Sequence, residues 1–211
     1  MDRREQRETQ DGGLRERLVD VGVELVTSGG TAALGLREIA RRAGVSHGAP
    51  RRYFPTHHAL LSAIARRGFR ELGSRIPAAL AGPGADDPRG QVRALGRAYV
   101  GYALEHPGMF ELMFRHDLLD SSGQDGQDGQ DQPRADRLRD STLPMFELLV
   151  SLVARCRTGD EPRITAAALW ANLHGVAQLW SRGSLPLALD GAPEGSLDRV
   201  VDAAVDAHLR P

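Results

Sequence analysis

Apolar residues recur three and four positions apart along most of the chain, and strict alternation of apolar and polar residues is rare, so the pattern is helical. Leu14, Leu18, Val21 and Leu25 share one face of a first helix, which Gly29 and Gly30 stop. Leu36, Ile39, Ala40 and Ala43 share a face of a second, closed by Gly44. Ser46 is placed to cap a short third helix that runs to about Tyr53. Pro55 breaks it, and Thr56 caps a fourth that continues to about Ser74. The stretch Ala81 to Gly90, rich in Gly, Pro and Asp, reads as a linker. Beyond it the spacing predicts helices over Gln91 to Glu105, Pro107 to Leu118, Ala135 to Arg155, Pro162 to Arg182 and Ser196 to Leu209. Pro107 and Pro162 suit first helical turns, whereas Pro144 predicts a kink or a split. The expected class is all-α, with about nine helices.

Composition adds detail to this outline. Met1 to Gly13 is polar and predicts a flexible arm, and three copies of Gly-Gln-Asp at Gly123 to Asp131 predict a disordered loop over residues 120–134. All 27 basic residues are arginine. Residues 1–75 hold 14 of them against nine acidic residues, while residues 76–211 hold 13 against 19. That asymmetry suits a front domain, residues 14–75, that meets a polyanion, joined to a rear domain, residues 76–211, that does not. The single Cys156 excludes an intrachain disulfide. The most apolar stretch, Leu143 to Ala154, contains Pro144 and Glu147 and is far short of the ~20 residues of a membrane span. With no Arg-led apolar leader at the N-terminus, the expectation is a cytoplasmic protein without a membrane partner.

The sharpest local signal is LREIARRAGVSHGAPRRYF, residues 36–54. It reads as two short helices crossing at about a right angle. Ala40 leaves room at the crossing, Gly44 supplies a positive φ, Val45 plugs the gap and Ser46 restarts the chain. Ile39 with Tyr53 or Phe54 closes the core. His47, Gly48, Arg51 and Arg52 are then left facing outward, where the major groove of DNA would lie, and arginine is the commonest reader of guanine. The plainer alternative is a helix pair with a solvated arginine face.

The flank extends the pattern. LREIARRAGVSHGAPRRYFPTHHALLSAIARRGF, with the first helix and its Gly pair, resembles the DNA-binding domain of TetR-type regulators over residues 14–70. That family usually reads V-S-x-G-x-L-Y-x-H-F-x-S-K-E-x-L, matched here by Val45, Ser46, Gly48, Phe54, Thr56 and Leu60. Pro50, Arg51, Tyr53 and the pair His57, His58 depart from it. The resemblance implies DNA contacts from Arg37, Ser46, His47, Gly48, Arg51, Arg52, Tyr53, Thr56 and His57. Among these, Thr56 and the free amides after it form an anion site at a helix start. A histidine in place of the family lysine makes the contact at His57 pH-sensitive in principle, although an uncharged surface histidine is the plainer reading.

YVGYALEHPGMFELMFR at 99–115 and ALWANLHGVAQLW at 168–180 resemble the C-terminal domain of a TetR branch with a Trp-x-x-x-His-Gly signature, here Trp170, His174 and Gly175. Trp170 and His174 stand one helical turn apart on one face. The expected effector pocket comprises Tyr99, Tyr102, Phe110, Met113, Phe114, Met145, Trp170 and His174, suited to an apolar or aromatic small molecule. A plain core with a hydrogen-bonded histidine is the alternative. The resemblance also implies a homodimer through helices 162–182 and 196–209, to which Leu173, Trp180, Val200, Val201, Ala204 and Leu209 offer apolar faces.

No His-Glu-x-x-His, phosphate loop or Gly-x-Ser-x-Gly elbow is present, and seven scattered histidines make no zinc spacing. The expectation is therefore no enzyme, no metal and no cofactor. It is a ligand-responsive transcriptional regulator, a repressor by the family habit, that binds a palindromic operator in double-stranded DNA, with the hinge at the fourth helix against the helix from Pro107. The alternative is a helical small-molecule-binding protein that acts through a protein partner.

Overall fold

The computed structural model describes residues 3–82, 87–119, 138–156 and 161–210. Helices follow one another as α1 (Arg3–Gly29), a 3-10 turn (Thr31–Ala33), α2 (Leu36–Arg42), α3 (Pro50–Tyr53), α4 (His57–Leu80), α5 (Pro88–Glu105), α6 (Pro107–Met113), α7 (Leu138–Cys156), α8 (Pro162–Ser181), α9 (Ser184–Ala188) and α10 (Ser196–Leu209). There is no strand among the described residues, in accord with the all-α expectation. None of these helices is long and apolar enough to cross a membrane.

Several boundaries differ from the pattern's prediction, each for a physical reason. The helix α1 begins at Arg3, inside the stretch expected to be a flexible arm. Its Arg, Glu and Gln residues are good helix formers, and an established helix extends into such a sequence at little cost. Helix α5 starts at Pro88, inside the expected linker, because the Asp87 carboxylate accepts hydrogen bonds from the amides of Arg89 (3.1 Å) and Gly90 (3.0 Å) and so caps the helix. Pro144 does not split α7, which continues through it. The short α9 follows Gly183, whose φ of 79° turns the chain out of α8, and it escaped a periodicity search because five residues are too few to show a period. The Gly-Gln-Asp repeat lies outside the described residues.

Two compact units result, and they do not follow chain order. The first is Met1–Phe69 with Gly108–Asp140, and the second is Arg70–Pro107 with Ser141–Pro211. The division expected near residue 76 thus falls inside α4, between Phe69 and Arg70, and residues from Gly108 join the front unit. A charge count cannot see this, because α4 is one uninterrupted helix whose apolar residues serve two cores.

In the first unit, Leu18, Leu25 and Val26 of α1, Ile39 and Ala40 of α2, Leu60 and Ile64 of α4 and Leu112 and Met113 of α6 are buried together with Phe54. Phe69 meets Phe114 edge-on with ring centroids 5.6 Å apart, and Phe114 meets Phe110 at 4.9 Å. A Cβ on Gly108 would overlap the carbonyl oxygen of Val26 and lie 3.1 Å from the Gly30 Cα, so the head of α6 sits on the backbone that ends α1.

In the second unit, Val92, Val100 and Tyr102 of α5, Leu169, Leu173 and Val176 of α8 and Val201, Val205 and Leu209 of α10 form the core. A polar seam fastens α5 to α10. Arg89, Arg93 and Arg97 recur every four residues on α5, and Asp198, Asp202 and Asp206 recur every four on α10. Arg93 meets Asp206 at 2.6 Å, Arg97 meets Asp202 at 2.7 Å and Asp198 at 3.6 Å, and Arg89 donates to the Leu209 carbonyl.

Candidate nucleic-acid interface and effector site

The turn between α2 and α3 is built by its backbone. Gly44 has a φ of 69°, which is open to glycine without strain, and the Val45 amide donates to the Ala40 carbonyl at 3.0 Å across the bend. Ala40 is completely buried at the crossing.

The helix beyond the turn is shorter than a capped recognition helix. The cap position of α3 is Ala49, without a side-chain bond, so Ser46 does not cap it. Residues 46–49 form a single turn, closed by the Ala49 amide on the Ser46 carbonyl at 3.0 Å. The reason is Pro50, which has no N–H to continue an α-helical ladder back to Ser46. The Phe54 amide closes the helix on the Pro50 carbonyl at 2.9 Å. Pro50 and Phe54 are both buried, and the Arg15 guanidinium lies over the Phe54 ring at 5.2 Å. Phe54 is therefore the core residue, and Tyr53 is half-buried beside it.

Ser46, His47, Gly48, Arg51 and Arg52 are all exposed, as are Arg37, Thr56 and His57. The expected contact residues therefore lie on the surface of one unit, within residues 37–57. The arginines divide into two kinds. Arg41 and Arg42 converge on Glu38, at 2.6 and 2.9 Å, and Arg41 first, then Arg42, hold its carboxyl down to a pKa of about 2. Arg37, Arg51 and Arg52 make no ion pair with any carboxylate among the described residues. The spacing of Glu38 with Arg41 and Arg42 was visible in the sequence, and the pairing could have been read from it.

At the start of α4, the Thr56 hydroxyl accepts from the Ala59 amide at 3.0 Å, which is the expected N-cap. The exposed His57 turns one ring nitrogen back to the fold. Its Nε2 lies 2.7 Å from the carbonyl oxygen of Leu34, a contact no local sequence signal announces.

The eight residues expected to form the effector pocket are divided between the two units. Phe110, Met113 and Phe114 belong to the first unit, where the first two are buried in its core. Tyr99, Tyr102, Met145, Trp170 and His174 belong to the second. Tyr102 is core, completely buried with Arg75 4.9 Å over its ring. Tyr99, Trp170 and His174 do form a constellation. The Trp170 indole N–H donates to the Tyr99 oxygen at 3.1 Å, and that oxygen lies 2.9 Å from His174 Nδ1. An indole nitrogen only donates, so the Tyr99 oxygen accepts from Trp170, and the donor in its bond with His174 follows the imidazole tautomer. Burial raises the Tyr99 hydroxyl's pKa and lowers that of the His174 imidazole, which favours the neutral form of each. Phe146, absent from the expected set, joins them with its ring 6.2 Å from Trp170.

Of the residues expected at a subunit contact, Leu173, Val201, Ala204 and Leu209 are buried within their own unit. The large apolar residues exposed on α8 are instead Ile164, at 61 %, Leu179, at 46 %, and Trp170, at 39 %. Among the described residues, and apart from its chain neighbours and the helix's own nearby backbone, nothing comes within 4 Å of a Cβ placed on Gly175.

Residues 18–64 match the family described as bacterial regulatory proteins, tetR family, and residues 92–204 match the family described as tetracyclin repressor-like, C-terminal domain. The HTH-type transcriptional regulator BetI of Yersinia pestis is 35% identical over 81 residues, 38% of this chain and 41% of the relative. The HTH-type transcriptional repressor KstR of Rhodococcus jostii is 42% identical over 62 residues, 29% of each chain. The chain thus spans less than half the length of the curated relatives it matches. A solved structure of a protein of unknown function from Rhodococcus sp. RHA1 superposes with a TM-score of 0.69 at 30% identity, covering 93% of this chain and 94% of the other.

Proposed function

Since the chain belongs to the TetR family of bacterial regulators, we propose that it is a ligand-responsive transcriptional repressor that binds a palindromic DNA operator as a homodimer and leaves it when a small molecule binds. One observation carries the reading: Arg37, Arg51 and Arg52 stand exposed and, among the described residues, without a carboxylate partner on a helix-turn-helix whose inner face is buried. Cations left open on such a surface serve a polyanion. Arg51 and Arg52, with His47 and Tyr53 beside them, read base edges, guanine above all. Ser46, Gly48, Arg37, Thr56 and the amides that open α4 hold the phosphates.

One reading head cannot select a site in a genome. Two related by a two-fold axis read half-sites ~34 Å apart and multiply their discrimination. The exposed Ile164 and Leu179, with the open surface at Gly175 between them on α8, support a partner seated on that helix. The effector belongs to the Tyr99, Trp170 and His174 constellation, and the Trp-x-x-x-His-Gly spacing supports membership of the branch that carries it. An effector that prefers the conformer with the reading heads wrongly spaced draws the population away from DNA.

The test is binding to a duplex enriched from a random pool by the wild-type chain. Arg51→Ala with Arg52→Ala is expected to weaken binding at least tenfold and to relax the base preference at the positions they read. Unchanged affinity in the double variant refutes the assignment. A chain that enriches no duplex acts through a protein partner instead.

A further inference from the structure

The residues that flank the helix-turn-helix on either side are joined by one hydrogen bond. Leu34 lies two residues ahead of α2, and His57 is the first residue of α4, past the end of α3. The His57 Nε2 and the Leu34 carbonyl oxygen are 2.7 Å apart. A carbonyl oxygen only accepts, so the Nε2 carries the proton and donates. The carbonyl end of the bond is held in place as well. The Leu34 side chain is buried, and the Leu34 amide donates to the Thr31 carbonyl at 3.2 Å.

Between the two ends, α3 has four residues, too few to persist as a helix by its own hydrogen bonds. Its conformation depends on what holds its surroundings. We infer that His57 is a positioning residue for the reading surface: its imidazole clips the segment ahead of α2 to the start of α4 and keeps His47, Arg51 and Arg52 in register. Its part is to hold the surface, since its Nε2 is engaged by the Leu34 carbonyl and is not offered to a phosphate. The functional part of this inference rests on the DNA-binding reading above, while the clip is a property of the free chain.

The experiment compares wild type with His57→Phe, which keeps a ring and removes the donor, and with His57→Gln, whose amide nitrogen can donate to Leu34 again. Hydrogen exchange of the DNA-free chain comes first. In the Phe variant, amides of residues 36–53 are expected to exchange about fivefold faster, the effect of one hydrogen bond, while those of α8 and α10 are unchanged. Affinity for the enriched duplex is expected to fall about fivefold at every salt concentration with the salt slope unchanged, and the Gln variant to restore exchange and affinity to within twofold. A slope lower by about one, with exchange unaltered, would make His57 a phosphate ligand and overturn the inference. Faster exchange throughout the chain that Gln does not correct would reduce it to bulk stability, which also overturns it. Should the wild type enrich no duplex, the DNA-binding reading fails, and exchange in the free chain alone decides the clip.

Discussion

Replacing Gly108 with alanine tests how tightly α6 sits on the end of α1. The added Cβ would overlap the Val26 carbonyl oxygen and approach the Gly30 Cα to 3.1 Å and the Val26 carbonyl carbon to 3.4 Å. All three atoms are backbone, so no rotamer change relieves the overlap, and α6 must lift away from α1. Overpacking of this kind costs about 1–3 kcal/mol, and alanine's better helix propensity returns less than about 1 kcal/mol. The net expectation is a loss of about 1–2 kcal/mol, read as a lower urea midpoint with the slope preserved. For a chain of this size that lowers Tm by about 2–8 °C. Gly101→Ala is the matched control. Gly101 sits inside α5 with nothing within 4 Å of its Cβ, so the same substitution there is expected to stabilise by about 0.5–1 kcal/mol. Equal effects of one sign at the two positions would refute the reasoning, because they would mean that helix propensity and not the crossing governs Gly108.

Tyr99→Phe removes the hydroxyl that accepts from Trp170 and hydrogen-bonds His174, and leaving two partly buried groups without it is expected to cost about 1–3 kcal/mol in denaturant melts. Burial lowers the His174 pKa in the folded chain, so the unfolded chain binds more protons. Stability should therefore fall as pH drops below the unfolded value of about 6.5 and level off beneath the folded one, and melts of His174→Gln across pH 5–8 should lose that component. Asp202→Asn takes a carboxylate from Arg97, which it meets at 2.7 Å, and from Arg93, and is expected to cost about 1 kcal/mol at low salt and less at 1 M salt, measured by thermal melts. Glu38→Gln frees Arg41 and Arg42, so affinity for DNA should rise a few-fold with a steeper salt slope in a binding titration.

Helical periodicity carried most of the fold, because α2, α4, α8 and α10 each turn one apolar face to a core, and a face of period 3.6 is written in the order of residues. The scaffold of the reading surface was equally legible in Ala40, Gly44 and Val45, each with a local backbone reason to be there. Features that depend on distant partners were not. Nothing near His57 announces that its ring reaches Leu34, and nothing in the aromatic residues of α6 tells whether they line a ligand site or serve the core of the front unit. Tyr102 shows the difficulty plainly: a tyrosine at helical spacing is the same in sequence whether it meets an effector or, as here, lies buried beneath Arg75. Ser46 failed for a nearer cause, since a good capping residue needs a helix to cap, and Pro50 withholds the bond that would have begun it there.

Pro50 also bears on how this protein would choose its DNA. A recognition helix with a full complement of backbone bonds holds its side chains by its own rigidity, so its sequence preference lies in the side chains that face the groove. Here the ordered helix is only Pro50–Tyr53, preceded by the single turn of residues 46–49 and closed by the Phe54 amide on the Pro50 carbonyl. The directions of His47, Arg51 and Arg52 are set from outside α3: by the buried Pro50 and Phe54, by the positive φ of Gly44, and by the clip from His57 to Leu34. Arg15 of α1, over the Phe54 ring, extends that support to a third element. In a surface built this way, residues that touch no base govern which bases are read, because a shift of about 1 Å in the support displaces a bidentate arginine from its guanine. The departures from the family at Pro50 and His57 therefore act together, one removing rigidity from within the helix and the other supplying it from the flank.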